Sequence, residues 1–177
     1  MLSQILIAAA LATAQAPETE PTPEVETEHH EHAYRWLVAT KIITGTSRAA
    51  HGNTDLFGPG VDLELTIWPQ VGLELEFAAA FLLSEELHSV PMEVLLKKAF
   101  HVDPRTDLFV AAGGVLNYVN RDEGGSLLLK GGIFTAGGYL WHSTQFGLVI
   151  ELSYALYVLE SRVEHDVEGA VGVAYRW

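Results

Sequence analysis

The sequence VEGAVGVAYRW, residues 167–177, decides the fold class. Apolar side chains at Val171, Val173, Tyr175 and Trp177 alternate with small or charged ones. This period of two is typical of a β-strand with one apolar face. Chain ends are usually solvated and loosely held, so a soluble domain gains little from an exposed tryptophan there. The stretch therefore predicts a strand whose apolar face continues to the last residue of the sequence.

The same alternation recurs upstream and is clearest between Val61 and Phe77. Carboxylates occupy one face of this segment, branched or aromatic side chains occupy the other, and Pro69 and Gln70 mark a turn in the middle. The pattern predicts eight strands in the whole chain, at residues 34–46, 58–68, 71–82, 92–102, 107–119, 127–141, 146–159 and 165–177. Each strand has at least the ~9–11 tilted residues that cross a bilayer.

The connections between the predicted strands alternate in length. Tight turns are expected at 69–70, 102–106 and 142–145, and mostly longer, more polar loops at 47–57, 83–91, 120–126 and 160–164. This asymmetry is expected of outer-membrane β-barrels, in which the turns and both chain ends face the periplasm. Aromatic residues would form belts at the two interfaces. The periplasmic belt would comprise Trp36, Phe100, Tyr139, Trp141, Phe146, Tyr175 and Trp177, and the other belt Phe81 and Tyr118.

Together, the terminal strand, the loop pattern and the aromatic belts resemble the small eight-stranded outer-membrane β-barrel family of Gram-negative bacteria, which includes OmpA-like and OmpX-like barrels. The resemblance covers residues 34–177 and implies an all-β, antiparallel, up-and-down transmembrane barrel. It also implies that the barrel assembly machinery of the outer membrane recognises the C-terminal strand, through Val171, Val173, Tyr175 and Trp177. The expected partners are this machinery and outer-membrane lipid, and the expected state is a monomer.

A secreted, soluble barrel of the lipocalin type is the strongest alternative fold. Its strands show the same alternation with the faces exchanged, so that apolar side chains line a ligand cavity and carboxylates meet water. Alternation alone does not choose between the two folds. The terminal tryptophan, the loop asymmetry and the aromatic belts favour the membrane barrel.

If the apolar face meets lipid, the charged face must fill the lumen. Parity along the strands places these charged residues inside: Asp62, Glu64, Glu74, Glu76, Glu93, Glu151 and Glu168, with Arg35, Lys41, Lys97, Lys130 and Arg176. Acid and base are then nearly balanced, which predicts a network of ion pairs. An eight-stranded barrel is only just wide enough for its side chains, and Leu37, Phe109, Phe134 and Leu140 would add bulk. A wide aqueous pore is not expected, although an ion path or an ion-pair switch stays open as an alternative.

Lys98 does not fit this scheme, because parity places it on the lipid face, where a lysine at the membrane centre costs ~2–4 kcal/mol. Its position near the periplasmic end of its strand would let the ammonium group reach the interface. A β-bulge at residues 97–98 is the alternative explanation.

The N-terminal residues are predicted to lie outside the barrel. Residues 1–16 are interpreted as a secretory signal peptide, because the apolar run at 5–11 precedes small residues in a cleavage pattern, although no Lys or Arg precedes that run. A short soluble tail is the alternative. Residues 17–33, rich in Pro, Thr and Glu, predict a disordered linker. Histidine and glutamate at 28–32 are types that bind Zn²⁺ or Cu²⁺, but a flexible tract fixes no geometry, so no metal site is assigned.

Composition and motifs exclude several classes of function. The net charge of -13 argues against nucleic-acid binding, and the lack of cysteine excludes disulfides and thiolate chemistry. His142, Ser143 and Glu151 superficially resemble the residues of outer-membrane lipid A deacylases, but their spacing differs and a periplasmic turn is far from that substrate. No catalytic residue, cofactor or metal is therefore assigned.

The sequence thus predicts a non-enzymatic outer-membrane barrel with a structural or surface-interaction role. A narrow porin-like channel for small solutes is the first alternative, and a secreted lipocalin-like binding protein is the second.

Overall fold

A computed structural model describes residues 35–48, 54–85, 87–121, 125–159 and 162–177. The predicted signal peptide at residues 1–16 and the predicted linker at 17–33 lie outside the described residues, as does the His/Glu tract at 28–32. None of the helical structure in the described ranges has the length and apolar character of a membrane-spanning helix.

The described residues form nine β-strands and one 3₁₀ turn. The strands are β1 (Trp36–Ser47), β2 (Thr54–Trp68), β3 (Leu73–Ala80), β4 (Leu82–Leu83), β5 (Leu87–Asp103), β6 (Thr106–Arg121), β7 (Gly125–Trp141), β8 (Phe146–Val158) and β9 (Val163–Arg176), and the 3₁₀ turn is Pro69–Val71. Only Phe81 separates β3 from β4, and both pair with β2 and β5. We therefore treat β3 and β4 as one strand of the wall.

The sheet closes on itself. Neighbouring strands are antiparallel throughout, and β1 pairs with β2 on one side and with β9 on the other. The backbone N–H groups of Arg35 and Trp36 donate to the carbonyl of Trp177 at 3.1 and 3.3 Å. The ring therefore has eight strands and no free edge. This confirms the predicted all-β, antiparallel, up-and-down barrel.

The alternation between Val61 and Phe77 is confirmed, with its apolar face outward. Leu63 and Ile67 are 40% and 48% exposed, whereas Asp62 and Glu64 are 1% and 0% exposed. The outer wall is covered with large apolar side chains in this way on every strand of the ring. A soluble ligand-binding barrel requires the opposite arrangement, because water solvates carboxylates and not a continuous apolar surface.

The two rims differ in what they carry. The terminal rim carries Arg35, Trp177 and the turns at 69–72, 104–105 and 142–145. The opposite rim carries the other strand ends, among them Ser47, Thr54, Leu83, Leu87, Arg121, Gly125, Val158 and Val163. The long loops predicted at 83–91 and 120–126 are wrong, because β5 already begins at Leu87 and β7 at Gly125. Their described polar residues His88, Ser89, Asn120, Arg121 and Ser126 continue the antiparallel register instead of leaving it. The predicted asymmetry in loop length is therefore small.

Local backbone chemistry closes the turns of the terminal rim. Gly72 has a φ of 61°, a left-handed conformation that glycine adopts without strain, and its N–H donates to the Pro69 carbonyl at 3.0 Å. Asp103 accepts a hydrogen bond from the backbone N–H of Arg105 at 2.8 Å, and this bond holds the pKa of Asp103 below its usual range. These two turns are thus fixed by their own residues.

The position of Lys98 agrees with the first of its two explanations. The register of β5 is regular through residues 97–98 and shifts only between His101 and Asp103, so the bulge proposed at 97–98 is wrong. Lys98 lies near the terminal rim, with its Nζ atom 5.2 Å from the centre of the Phe100 ring. An aromatic residue at the interface is a favourable neighbour for an ammonium group.

Candidate functional site: the barrel lumen

The structure places most of the predicted lumen residues inside the barrel. The buried ones are Lys41, Asp62, Glu64, Glu74, Glu76, Lys97, Glu151 and Arg176. Glu93 and Glu168 are partly exposed as whole residues, and both line an internal cavity. Arg35 and Lys130 are corrections: Arg35 is exposed at the terminal rim, outside β1, and Lys130 is exposed on the outer wall.

The error at Lys130 extends to the whole of β7. Phe134 and Leu140 are 52% and 48% exposed on the outer wall, so neither fills the lumen as predicted, whereas Tyr139 and Trp141 are buried inside it and do not join the outer aromatic belt. Both faces of β7 are largely apolar, so alternation gave no clear sign of which face is inward. The packing decides, because Leu129 and Ile133 complete an internal apolar cluster.

Lys97 is the centre of one group of charges in the lumen. Its ammonium group lies 2.6 Å from Glu64 and 2.6 Å from Glu76, donates to the Tyr139 hydroxyl at 3.0 Å and lies 4.1 Å from the centre of the Phe109 ring. The Tyr139 hydroxyl in turn donates to Glu64. A fully buried ammonium group requires this number of partners, because it has lost its hydration.

Lys41 is the centre of a second group. Its ammonium group forms an ion pair with Asp62 at 2.5 Å and another with Glu151. These partners come from different walls, since Asp62 belongs to β2 and Glu151 to β8. Each lysine therefore joins strands that are far apart in sequence, and the two groups span the middle of the lumen.

A layer of aromatic and small side chains closes the lumen at the terminal rim. Asp107 organises the polar part of this layer. It accepts a hydrogen bond from the Trp141 indole at 2.5 Å, forms one with His101 at 2.7 Å, and lies 3.4 Å from the Arg176 guanidinium. The Arg176 guanidinium also stacks over Trp141 at 3.7 Å from the ring centre. The apolar part comprises Leu37, Ala39, Phe109, Tyr139, Val149 and Ala174.

The lumen toward the opposite rim is largely apolar, which the sequence did not predict. An internal cluster there includes Leu82, Leu87, Leu95, Val115, Val119, Leu129, Ile133 and Tyr157. Beside this cluster, Ser89 and Asn117 are hydrogen-bonded at 2.7 Å and Asn117 donates to Tyr157 at 3.4 Å. Glu164 and Asp166 are buried on the inner face of β9 at the same end of the lumen. The charged face of the β2–β3 hairpin is therefore not typical of every strand.

A small cavity lies between the charged groups and this apolar cluster. Its volume is about 20 Å³, enough for one water molecule. Charged side chains that line it include Lys41, Asp62, Glu76, Glu93, Glu151 and Glu168. Without Lys130 and Arg35, carboxylates clearly outnumber cations in the middle of the lumen. The predicted balance of acid and base is therefore wrong.

The residues of the deacylase comparison do not come together. His142 and Ser143 lie in an exposed turn of the terminal rim, where the Ser143 hydroxyl accepts the N–H of Phe146 at 3.0 Å. Glu151 lies inside the barrel and pairs with Lys41. A nucleophile and its base must be within hydrogen-bonding reach, and this set is not.

Comparisons with known proteins identify the fold. No protein-family model matches the sequence, and no curated protein matches it. Among solved structures, Neisserial surface protein A aligns with a TM-score of 0.69 at 14% identity, over 80% of this chain and 97% of that one. The N-terminal β-barrel domain of Pseudomonas aeruginosa OprF aligns with a TM-score of 0.58 at 16% identity, over 80% and 97%. Ail, the attachment invasion locus protein of Yersinia pestis, gives 0.58 at 12%, over 81% and 99%.

These alignments span almost the whole of each neighbour, although little sequence is shared. They show that the chain has the fold of small eight-stranded outer-membrane β-barrels. This agrees with the apolar outer wall and the closed hydrogen-bonded ring, which together satisfy the requirements of a hydrocarbon environment.

Proposed function

We propose that this chain is a non-enzymatic, monomeric outer-membrane β-barrel protein of a Gram-negative cell envelope, with a structural or surface-interaction role and a lumen held closed by ion pairs. The observation that carries the proposal is the orientation of the wall, with apolar side chains outside and charges inside. Such a wall is soluble in lipid and not in water.

Three further observations support the parts of this proposal. The ring has no free edge that would add a second copy by strand pairing. His142 and Ser143 line a cleft at the terminal rim, but the Ser143 hydroxyl accepts the backbone N–H groups of Gln145 and Phe146 and is not paired with the histidine. The fold neighbours include proteins named for the neisserial surface and for attachment and invasion, which favours a surface role.

The closed lumen argues for this role over the alternative of a narrow solute channel. The aromatic layer around Trp141 and Asp107 fills the terminal rim, and the cavity above it holds about one water molecule. A solute would have to displace buried and ion-paired side chains to pass.

The location is tested by cell fractionation and gel migration. The expected result is recovery with outer membranes and a band whose migration changes on heating, because a folded barrel resists detergent until it is boiled. Recovery in a soluble fraction, without detergent, would contradict the proposal.

The orientation is tested by labelling, which the absence of cysteine makes simple. Glu85→Cys lies at the opposite rim and Thr144→Cys at the terminal rim, and both positions are exposed. A membrane-impermeant maleimide applied to intact cells should label Glu85→Cys and should label Thr144→Cys only after permeabilisation. The reverse pattern would place the terminal rim outside the cell.

A further inference from the structure

Two carboxylates in the lumen, Glu93 and Glu168, do not belong to its ion pairs. Lys97 is committed to Glu64 and Glu76, and Lys41 to Asp62 and Glu151. Glu93 and Glu168 line the same cavity, yet neither forms a hydrogen bond or ion pair with any residue in the part of the chain that the structure describes.

These two carboxylates approach the cavity from opposite walls. Glu93 lies on β5 and Glu168 on β9, and three wall strands separate them in either direction around the ring. The side chains are largely enclosed, although the residues as wholes remain partly exposed. Lys41 lies at the same cavity, but it is already paired with Asp62 and Glu151. Two enclosed carboxylates of the same sign are costly when both are charged, so the pair must either hold protons or bind a further positive charge.

Neutral oxygen atoms complete the surroundings of the pair. Thr135 and Ser153 also line the cavity, and their hydroxyl groups are hydrogen-bonded at 2.9 Å. Thr135 pairs with Ser153, and Ser153 pairs with Glu168, in the registers of β7–β8 and β8–β9. A row of hydroxyl and carboxylate oxygens therefore faces Glu93 across a cavity with room for one species of about the size of a water molecule.

We propose that this cavity binds one hard divalent cation, Ca²⁺ or Mg²⁺, between Glu93 and Glu168. Two carboxylates balance its charge, and carboxylate, hydroxyl and water oxygens are the ligands that these ions prefer. Sulfur and imidazole ligands, which would favour Zn²⁺ or Cu²⁺, are not among the residues that line the cavity.

The inner face of β9 supplies a path for the cation. Glu164, Asp166 and Glu168 share this face at every second position, from the opposite rim to the cavity. The first carboxylate of this row, Glu164, forms an ion pair with Arg162, with 2.5 Å between Nε and Oε1. The aromatic layer closes the other end, so the cation would reach the cavity from the opposite rim, between these carboxylates and the internal apolar cluster.

The first test measures binding of the metal ions themselves. The full chain, refolded in detergent and stripped with EDTA, is titrated with CaCl₂ and MgCl₂ by calorimetry at constant ionic strength. One saturable site per chain is expected. Glu93→Gln and Glu168→Gln should each lower the affinity about tenfold or more, since each removes a charged ligand. Glu85→Gln, an exposed carboxylate at the opposite rim, is the matched control and should bind as the wild type does.

The second test uses thermal stability and separates a ligand role from a purely structural one. In EDTA, Glu93→Gln should raise the midpoint of unfolding, because it removes an enclosed carboxylate that has no ion-pair partner among the described residues. With excess Ca²⁺ or Mg²⁺, the order should reverse, because only the wild type gains stability by binding.

Two outcomes would overturn the proposal. One is the absence of saturable binding by the wild type, with a midpoint that is the same in EDTA and in excess divalent cation; the carboxyl groups would then hold protons instead. The other is binding that survives in the combined Glu93→Gln, Glu168→Gln variant, which would place the cation elsewhere.

Discussion

Two lysines, Lys41 and Lys97, determine whether the carboxylates of the lumen can stay charged. Each has almost no exposure and bridges carboxylates from separate strands. Desolvation of such groups costs several kcal/mol per ion, and only good geometry offsets this cost. Removing one partner therefore harms the fold far more than the pair itself stabilises it.

Lys41→Met is expected to destabilise the barrel by about 3–5 kcal/mol, because Asp62 and Glu151 lose their shared cation in a buried place. The measurement is the midpoint of urea unfolding in lipid vesicles. Lys98→Met is the control, since Lys98 is a partly exposed lysine at the terminal rim, and it should cost under about 1 kcal/mol. Similar costs for the two variants would mean that Lys41 is hydrated.

Two adjacent glycines offer a second contrast at the scale of single residues. A Cβ atom on Gly113 would lie 2.0 Å from the Val94 carbonyl oxygen, whereas one on Gly114 would meet nothing nearer than 4.0 Å. Gly113→Ala should therefore cost about 1–3 kcal/mol by overpacking against backbone, and Gly114→Ala should be close to neutral. The unfolding midpoints of the two variants check this; equal values would show that the wall at β5–β6 relaxes easily.

At the scale of elements, alternation predicted the wall well wherever the two faces of a strand differ strongly. Between Val61 and Phe77 of the β2–β3 hairpin, carboxylates and branched apolar side chains do not share a face, and the structure follows the prediction there. In β7, Leu129, Lys130 and Ile133 gave conflicting signals, and the single lysine suggested the wrong parity. The register of β7 against β6 and β8 determines which face of β7 points inward, and this register cannot be read from the sequence alone.

The ion pairs in the middle of the lumen show the same limit of prediction from sequence. Sequence parity identified Lys41, Lys97 and most of their partners as inward, but it could not show which carboxylate pairs with which lysine. Pairs such as Lys41 with Glu151 join β1 to β8, and this depends on closure of the ring. Tyr139 and Asp107 were missed as lumen residues. Their roles depend on how far along the barrel axis they lie, and the alternation of a strand does not indicate this.

The terminal strand β9 carries a prediction about assembly. Val171, Val173 and Trp177 are 55%, 51% and 53% exposed on the outer wall, where an assembly factor can contact them. Trp177→Glu should slow insertion and leave the chain open to periplasmic proteases. Trp68→Glu is the matched control, because Trp68 is 57% exposed near the same rim but belongs to β2. Pulse-chase of the folded, heat-modifiable form measures the difference; equal yields would show that the terminal residue is not recognised.

At the scale of the whole molecule, the lumen is divided along its axis. The aromatic layer around Trp141 lies at the terminal rim, the two lysine groups lie in the middle, and the apolar cluster around Leu95 and Leu129 lies toward the opposite rim. These layers together hold the eight strands of the ring from within. A barrel filled in this way resembles a protein core more than a pore.

This division predicts the electrical behaviour of the protein. Reconstituted into planar bilayers, the wild type should conduct weakly or not at all, because an ion would have to cross both the apolar cluster and the aromatic layer. Trp141→Ala should remove one barrier only, so its conductance should stay low, and the Lys41→Met variant should behave in the same way while it remains folded. Large, steady single-channel currents from the wild type would show that the layers open in a membrane, and would favour the porin-like alternative over a closed structural barrel.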